Sequence, residues 1–523
     1  MSALTRAPAA TLVLAVLALP ALLPIAATLL AWSSPETGIW AHQLQYVLPR
    51  VALNTLLLVF WVGLGSLLLG VGLGWLVAFH EFPGRRVLSW ALLLPLAVPG
   101  YVLAVVAAGT LDYAGPVQSW FRSAGGPDLR WLQVRSLGGA AVILTLTLYP
   151  YVYMLARVAF DNASRTMLEV AMTLGEDQRG HFRRVMLPMA RPALAAGLAL
   201  VCMETLADFG VVAAFNVDTL TTAIYRTWYG LFSLQAALQL AGLLVLGVLA
   251  AAWLERRSRG RETYAVTRPE RERMPRRRLK GFSAVAAVVV ASVVLALAFL
   301  LPVWQLSAWA WQHTADLDSR YLDFALRSLG VAGSGALLVV AAALLHGYAL
   351  AGAGHAWARG LGRLATLGYA LPGAVLAVGV FAPLNTLGGL LQGTLVVMFI
   401  AYLARFLAVA AGPVEGGLAR IHGGLDEAAA TLGAGVAARL RRVHLPLLRS
   451  SLLVAAILVF VDLMKELPIT LMTRPFGFET LAVRIFEMAA EGEWTRAALP
   501  AVMIVLVGLL PVYLLSRRLD HVA

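Results

Sequence analysis

Four carboxylates stand where carboxylates are costly. Glu204 and Asp208 lie four residues apart in the apolar run VCMETLADFGV, and Asp462 and Glu466 repeat that spacing in VFVDLMKELPI. On a helix, residues at i and i+4 project from one face, one turn apart. An acid at membrane depth costs about 2.5–3.5 kcal/mol at a helix centre, and such groups are functional by default. Two chemistries fit. The acids can line a pathway for a hard cation, which oxygen ligands suit, with Glu204, Asp208, Asp462 and Glu466 as transient ligands. Alternatively each is neutralised locally. Lys465, three residues after Asp462 and next to Glu466, can hold either one, or weaken a cation site enough for release. The sequence leaves both open. Cys202 is the only cysteine, so no intrachain disulfide or thiolate cluster forms.

The elements that must carry these acids are membrane helices. Of the 523 residues 60% are hydrophobic and 13% charged, against about 25% charged in soluble domains, and mean hydropathy is +0.79. The net charge of +13 gathers in short arginine-bearing segments between apolar runs, as in cytoplasmic loops, so nucleic-acid binding is not expected. Apolar runs lie near 10–32, 51–79, 87–111, 137–160, 193–214 and 231–254, then near 282–310, 321–351, 361–383, 390–412, 449–472 and 497–516. The expectation is an all-α integral membrane protein of about twelve helices, because lipid offers no partner to open backbone groups. The run from Ala9 to Trp32 exceeds a signal-peptide core and reads as a retained first span. The loops 80–86, 161–191 and 413–449, the segment 255–280 and Arg517–Arg518 fall on one side if the N- and C-termini are both cytoplasmic.

The chain is also duplicated. EVAMTLGEDQRGHFRRVMLPMARPAL at 169–194 matches EAAATLGAGVAARLRRVHLPLLRSSL at 427–452 at an offset of 258, which places Glu204 on Asp462 and Asp208 on Glu466. PGYVLA at 99–104 matches PGAVLA at 372–377, and DTLTTAIY at 218–225 matches ETLAVRIF at 479–486, offset 261. Residues 1–254 and 281–523 therefore read as two six-helix halves joined by a basic cytoplasmic linker, 255–280. Six helices per half makes the repeats parallel. About fifteen extra residues around GPVQSWFRSAGGPDLRWLQ fall outside in the first half. The Pro-Gly pairs at 99–100 and 372–373 read as helix kinks, and WQLSAWAWQH as part of an interfacial aromatic belt. His80, His181 and His444 read as surface or docking residues, since no metal spacing surrounds them.

The repeated loop carries the strongest signal. Glu169 and Glu427 open a small-residue helix, favoured there by the helix dipole. Gly175 and Gly433 follow six residues on and let the helix break or a partner approach, and Leu187–Pro188 and Leu445–Pro446 end a basic stretch. The E-A-A-x-x-x-G pattern at Glu427, Ala428, Ala429 and Gly433, followed by L-P, resembles the coupling motif of permease subunits of binding-protein-dependent ABC importers. The first copy departs from it, reading Glu169-Val-Ala171. Because both halves carry the motif, the resemblance spans the chain and implies a type I, two-half fused permease in a bacterial inner membrane.

It implies two copies of a cytoplasmic ABC ATPase docked on the two loops, a periplasmic substrate-binding protein, and no cofactor on this chain, ATP and magnesium belonging to the ATPase. Lys280 and Lys465 are the only lysines and neither sits in a GK[ST] phosphate loop, so the chain is not expected to be an enzyme. METLADFGVVAAF with DTLTTAIY, and DLMKELPITLMTRPFGFETLAVRIFE, look like ferric-iron importer permeases, with fused thiamine permeases the nearest competitor. Ferric iron import is the expectation. An ion-coupled secondary transporter using the carboxylates as proton sites is the reading from another class, and it leaves the paired coupling motifs unexplained.

Overall fold

The computed structural model describes residues 7–127, 129, 132–161, 180, 184, 186–259, 276–385, 391, 393–421 and 423–522. Its main helices, in chain order, are α1 Ala7–Leu30, α2 Leu48–Phe79, α3 Gly100–Leu111, α4 Leu137–Asp161, α5 Leu187–Ala207 and α6 Leu234–Arg259. They continue as α7 Phe282–Leu295, α8 Ser319–Ala351, α9 Gly373–Asn385, α10 Leu395–Leu418, α11 Leu445–Met464 and α12 Ala498–Val522. Ten helical stretches among the described residues are long and apolar enough to cross a membrane. An eleventh arises if Ala356–Ala370 and Gly373–Asn385, bent by 118°, count as one span, and Ala498–Leu510 is a shorter apolar helix where the last span was expected. The all-α membrane architecture is as the sequence predicts.

The helices gather into two compact units that interleave along the chain. One holds residues 1–49, 220–245 and 315–487, the other 50–219, 246–314 and 488–523. The first helix thus packs with elements from the second repeat: a Cβ on Gly379 of α9 would fall 2.5 Å from Pro24 of α1. The indole of Trp40 donates to Gln239, whose amide donates to Ala31 O at 2.8 Å, satisfying polar groups beside the end of α1. In the other unit, small residues let helices touch backbone to backbone. Gly70 of α2 lies against Val152 and Tyr153 of α4, and Gly74 one turn on lies against Ala156.

The only strands among the described residues are β1, His80–Glu81, and β2, Arg277–Arg278, paired in parallel. They fasten the C-terminal end of the basic linker to the loop after α2. Arg276 lies 3.9 Å from Asp161, the last described residue before the first coupling loop. His80 is buried there, its ring edge-on to Trp75. Burial and the nearby Arg277 hold its pKa below the usual 6.5. The surface expectation is corrected for His80, and for His444 too, which is buried with Nδ1 2.6 Å from the Tyr348 hydroxyl. Both rings are wanted for packing, which an isolated histidine in a basic loop does not announce. His181 lies outside the described residues.

Candidate functional site

The second coupling loop is built as its composition dictates. Gly423–Thr431 forms a helix rich in alanine, and Gly433 ends it at φ +78°, a left-handed conformation that glycine adopts without a Cβ clash. Ala434 N donates to Ala429 O at 3.0 Å, closing the terminus in a Schellman arrangement. Leu425, Ala428, Ala429 and Leu432 recur at i, i+3, i+4 and i+7, the stripe a soluble helix turns toward a core. Here it faces outward: Leu432 is 87% exposed, and Glu427 and Ala428 are exposed. Leu445 is half-buried and Pro446 exposed at the start of α11. In the first loop Leu187 and Pro188 are half-buried at the start of α5, while Glu169, Ala171 and Gly175 lie outside the described residues.

The structure takes the second acid of each pair off the helix that carries the first. α5 stops at Ala207, and Asp208 continues in extended backbone, ψ 131°. Its Oδ1 accepts from Val211 N at 3.1 Å and Val212 N at 3.2 Å, amides of the first turn of a short helix, Gly210–Ala214. The second half repeats the device. α11 ends at Met464, and buried Glu466 accepts from Ile469 N through Oε1 and from Thr470 N through Oε2, both at 3.1 Å. That caps Pro468–Thr473. A carboxylate is a natural cap, because the opening amides of a helix have no acceptor of their own. Glu204 and Asp208 therefore do not share a helical face, nor do Asp462 and Glu466. Asp208 and Glu466 spend oxygens on backbone amides, and among the described residues no three His, Cys, Asp or Glu side chains gather as a metal site.

The remaining acids stay half-exposed. Glu204 lies on the last turn of α5, and Asp462 sits on α11 with Lys465 Nζ 3.0 Å from its Oδ1. Lys465 thus pairs with Asp462 and not with the buried Glu466. The Pro-Gly pairs explain how the capped segments seat. They do not kink a helix but start one: α3 and α9 each begin at the glycine. A Cβ on Gly373 would come within 2.7 Å of Pro468, 3.1 Å of Glu466 Oε1 and 3.2 Å of Arg405 Nη1. A Cβ on Gly100 would come within 2.9 Å of Val211, and one on Gly210 within 2.7 Å of Tyr101. Each glycine start is therefore pressed against the capped segment of its own half.

Sequence reading passed over Arg405, an intramembrane cation in AYLARFLAVAA whose charge alone marks it. It also passed over Tyr402, whose hydroxyl meets Thr470 Oγ1 at 2.5 Å. At the 258 offset their counterparts are Thr147 and Leu144, so the charged and phenolic side chains of the second half are not repeated in the first.

An outward apolar stripe in the second of two loops duplicated in sequence, on a polytopic helical scaffold, marks a membrane subunit that docks something. Residues 70–260 and 339–521 each match the family described as binding-protein-dependent transport system inner membrane component. The chain belongs to this family. Two matches in one polypeptide make it a fused, two-half permease, multi-pass in the inner membrane, and family membership brings with it a substrate-binding protein and an ATPase as partners. The Fe(3+)-transport system permease protein FbpB 2 of Haemophilus influenzae is 26% identical over 97% of this chain and 97% of its own length. A probable molybdenum ABC transporter permease of Haloferax volcanii is 31% identical over 47% of this chain and 87% of its own. The sulfate transport system permease protein CysT of Salmonella typhimurium is 29% identical over 36% of this chain and 68% of its own.

Proposed function

We propose that this permease moves ferric iron from a periplasmic binding protein into the cytoplasm by alternating access, driven by two copies of a cytoplasmic ABC ATPase. The observation that carries the substrate is the end-to-end similarity to the Haemophilus iron permease, 97% of both chains, where the molybdenum and sulfate relatives align to 47% and 36% of this one. Both termini are cytoplasmic in this reading, which puts every arginine-bearing loop on one side.

The coupling surfaces are Glu427, Ala428, Ala429, Gly433, Leu445 and Pro446 in the second half and Glu169, Ala171, Gly175, Leu187 and Pro188 in the first. Leu432 is the apolar anchor, since a leucine 87% exposed on a cytoplasmic loop gains most from a partner's pocket. As pathway residues in this reading, Glu204 and Asp208 serve the first half and Asp462, Lys465 and Glu466 the second, with Lys465 tempering Asp462 and with Asp208 and Glu466 each positioning the capped segment of its own half. α8 supports the mechanical part. Tyr348 near one end stacks on His444 at the exit of the coupling loop, and Arg327, about 31 Å away along the same helix, holds an outer turn at Gly477 O. A displacement of the loop is thereby passed along one rigid rod. No such loops are needed by a proton-coupled secondary transporter.

Co-purification with the ATPase tests the coupling assignment. Leu432→Asp is expected to lose the ATPase while retaining the folded permease, and retention of the ATPase would refute it.

A further inference from the structure

The repeat makes one aromatic residue conspicuous. At the 261 offset Phe215 corresponds to Phe476, and Asn216 to Gly477. In each turn the residue after the phenylalanine has a positive φ, +54° at Asn216 and +72° at Gly477. Phe215 is packed away at 1% exposure with its ring against Gly139. Phe476 is 107% exposed. Three extra residues lie between the capping acid and the turn in the second half, the step in offset from 258 to 261.

The exposed turn is held rigidly. Phe478 N donates to Pro475 O at 3.1 Å, closing it. Arg327 donates to Gly477 O at 2.7 Å, pairs with Asp323 at 2.6 Å and lies over the Phe478 ring at 5.4 Å. Arg474 donates to Phe478 O at 3.4 Å and is itself fixed by Glu487 at 2.7 Å. A large aromatic side chain at the tip of a pre-ordered turn, ringed by charged groups, has the anatomy of an interface anchor and its polar rim. Pre-ordering keeps the entropy cost of docking low. Asp323, Arg327, Arg474 and Glu487, paired with one another and still partly exposed, keep the rim of the turn polar, which argues for a protein surface over acyl chains. Arg327 and Tyr348 lie 21 residues apart on α8, so the turn sits at the opposite end from the coupling loop.

We infer that the Phe476 turn is a docking anchor for the periplasmic substrate-binding protein, Phe476 entering an apolar pocket on that protein. This rests on the importer reading and on its orientation. The test uses the permease–ATPase complex in nanodiscs and the ferric-loaded binding protein of its transport system. Phe476→Ala is expected to weaken binding about thirtyfold, in the range of an anchor truncation, with ATP hydrolysis in the absence of binding protein unchanged. Wild-type affinity in Phe476→Ala overturns the inference alone. Failure of the wild-type complex to bind the binding protein overturns the importer reading and the inference together.

A dye placed by Phe476→Cys in a Cys202→Ser background reports the surroundings directly, since Cys202 is the only native cysteine. An emission shift on adding binding protein supports docking. Quenching by nitroxide-labelled lipid with no response to binding protein shows a membrane anchor and overturns it.

Discussion

Replacing Asp208 or Glu466 by alanine strips the cap from a short helix inside the membrane. Asp208 Oδ1 serves two amides, and Glu466 serves two amides and the Thr470 hydroxyl at 3.1 Å. Loss of an N-cap costs about 0.5–2 kcal/mol, and a buried donor left unsatisfied adds about 1–3 kcal/mol. Asp208→Ala is therefore expected to destabilise by about 2 kcal/mol and Glu466→Ala by somewhat more. At about 2–4 °C per kcal/mol for units of this size, the melting midpoint in detergent falls by roughly 4–8 °C. Asp208→Asn keeps Oδ1 as an acceptor and is expected to stay near wild type in both stability and transport. Glu466→Gln puts an amide donor against one of its own partners and is expected to fall between wild type and Glu466→Ala. The assay pairs thermal unfolding of purified permease with uptake in proteoliposomes. If Asp208→Asn and Asp208→Ala abolish uptake equally while both melt like wild type, the carboxylate acts on cargo by its charge and the capping argument is wrong.

Other perturbations separate the remaining roles. Gly433→Val forces a β-branched residue to φ +78° and should cost about 1–2 kcal/mol locally, read as weakened ATPase co-purification without loss of permease. Lys465→Met frees Asp462 from its partner at 3.0 Å and should change uptake rate or cargo retention more than the melting midpoint, and the reverse pattern would make the pair structural. The buried His80 ring gives a pH dependence of definite sign. Because its pKa is held below 6.5 in the fold, its contribution is fully present above pH 6.5 and is lost as pH falls through the lowered value. Hydrogen exchange at Leu279, whose amide donates to Glu81 O at 2.9 Å, should therefore speed up at acid pH relative to His80→Gln after correction for intrinsic rate. Equal behaviour of the two proteins would refute the role given to His80.

The helices, the duplication and the coupling glycine were legible because each leaves a periodic or repeated trace in the sequence. Gly433 does in the structure what its place after EAAATL predicts. The acids misled because i, i+4 spacing implies a shared face only if the helix continues, and both helices stop one or two residues before the second acid. A signal existed in the second half: the Leu467–Pro468 step disfavours helix at its first residue. In the first half Gly210 is a weaker mark, legible only through the repeat. The interleaving of the units was not readable, since apolar surface on α1 or α6 does not say which helix covers it. Phe476 and Phe215 are identical residues at matching positions, and only the packing around each turn distinguishes them.

The central claim is ATP-driven import of ferric iron, and stimulation of ATP hydrolysis tests it most directly. The permease–ATPase complex in proteoliposomes is challenged with binding protein loaded with ferric iron, and in parallel with sulfate- and molybdate-loaded binding proteins. The account predicts stimulation and iron accumulation with the ferric-loaded protein only; stimulation by a loaded oxyanion carrier with no response to the ferric one would contradict it.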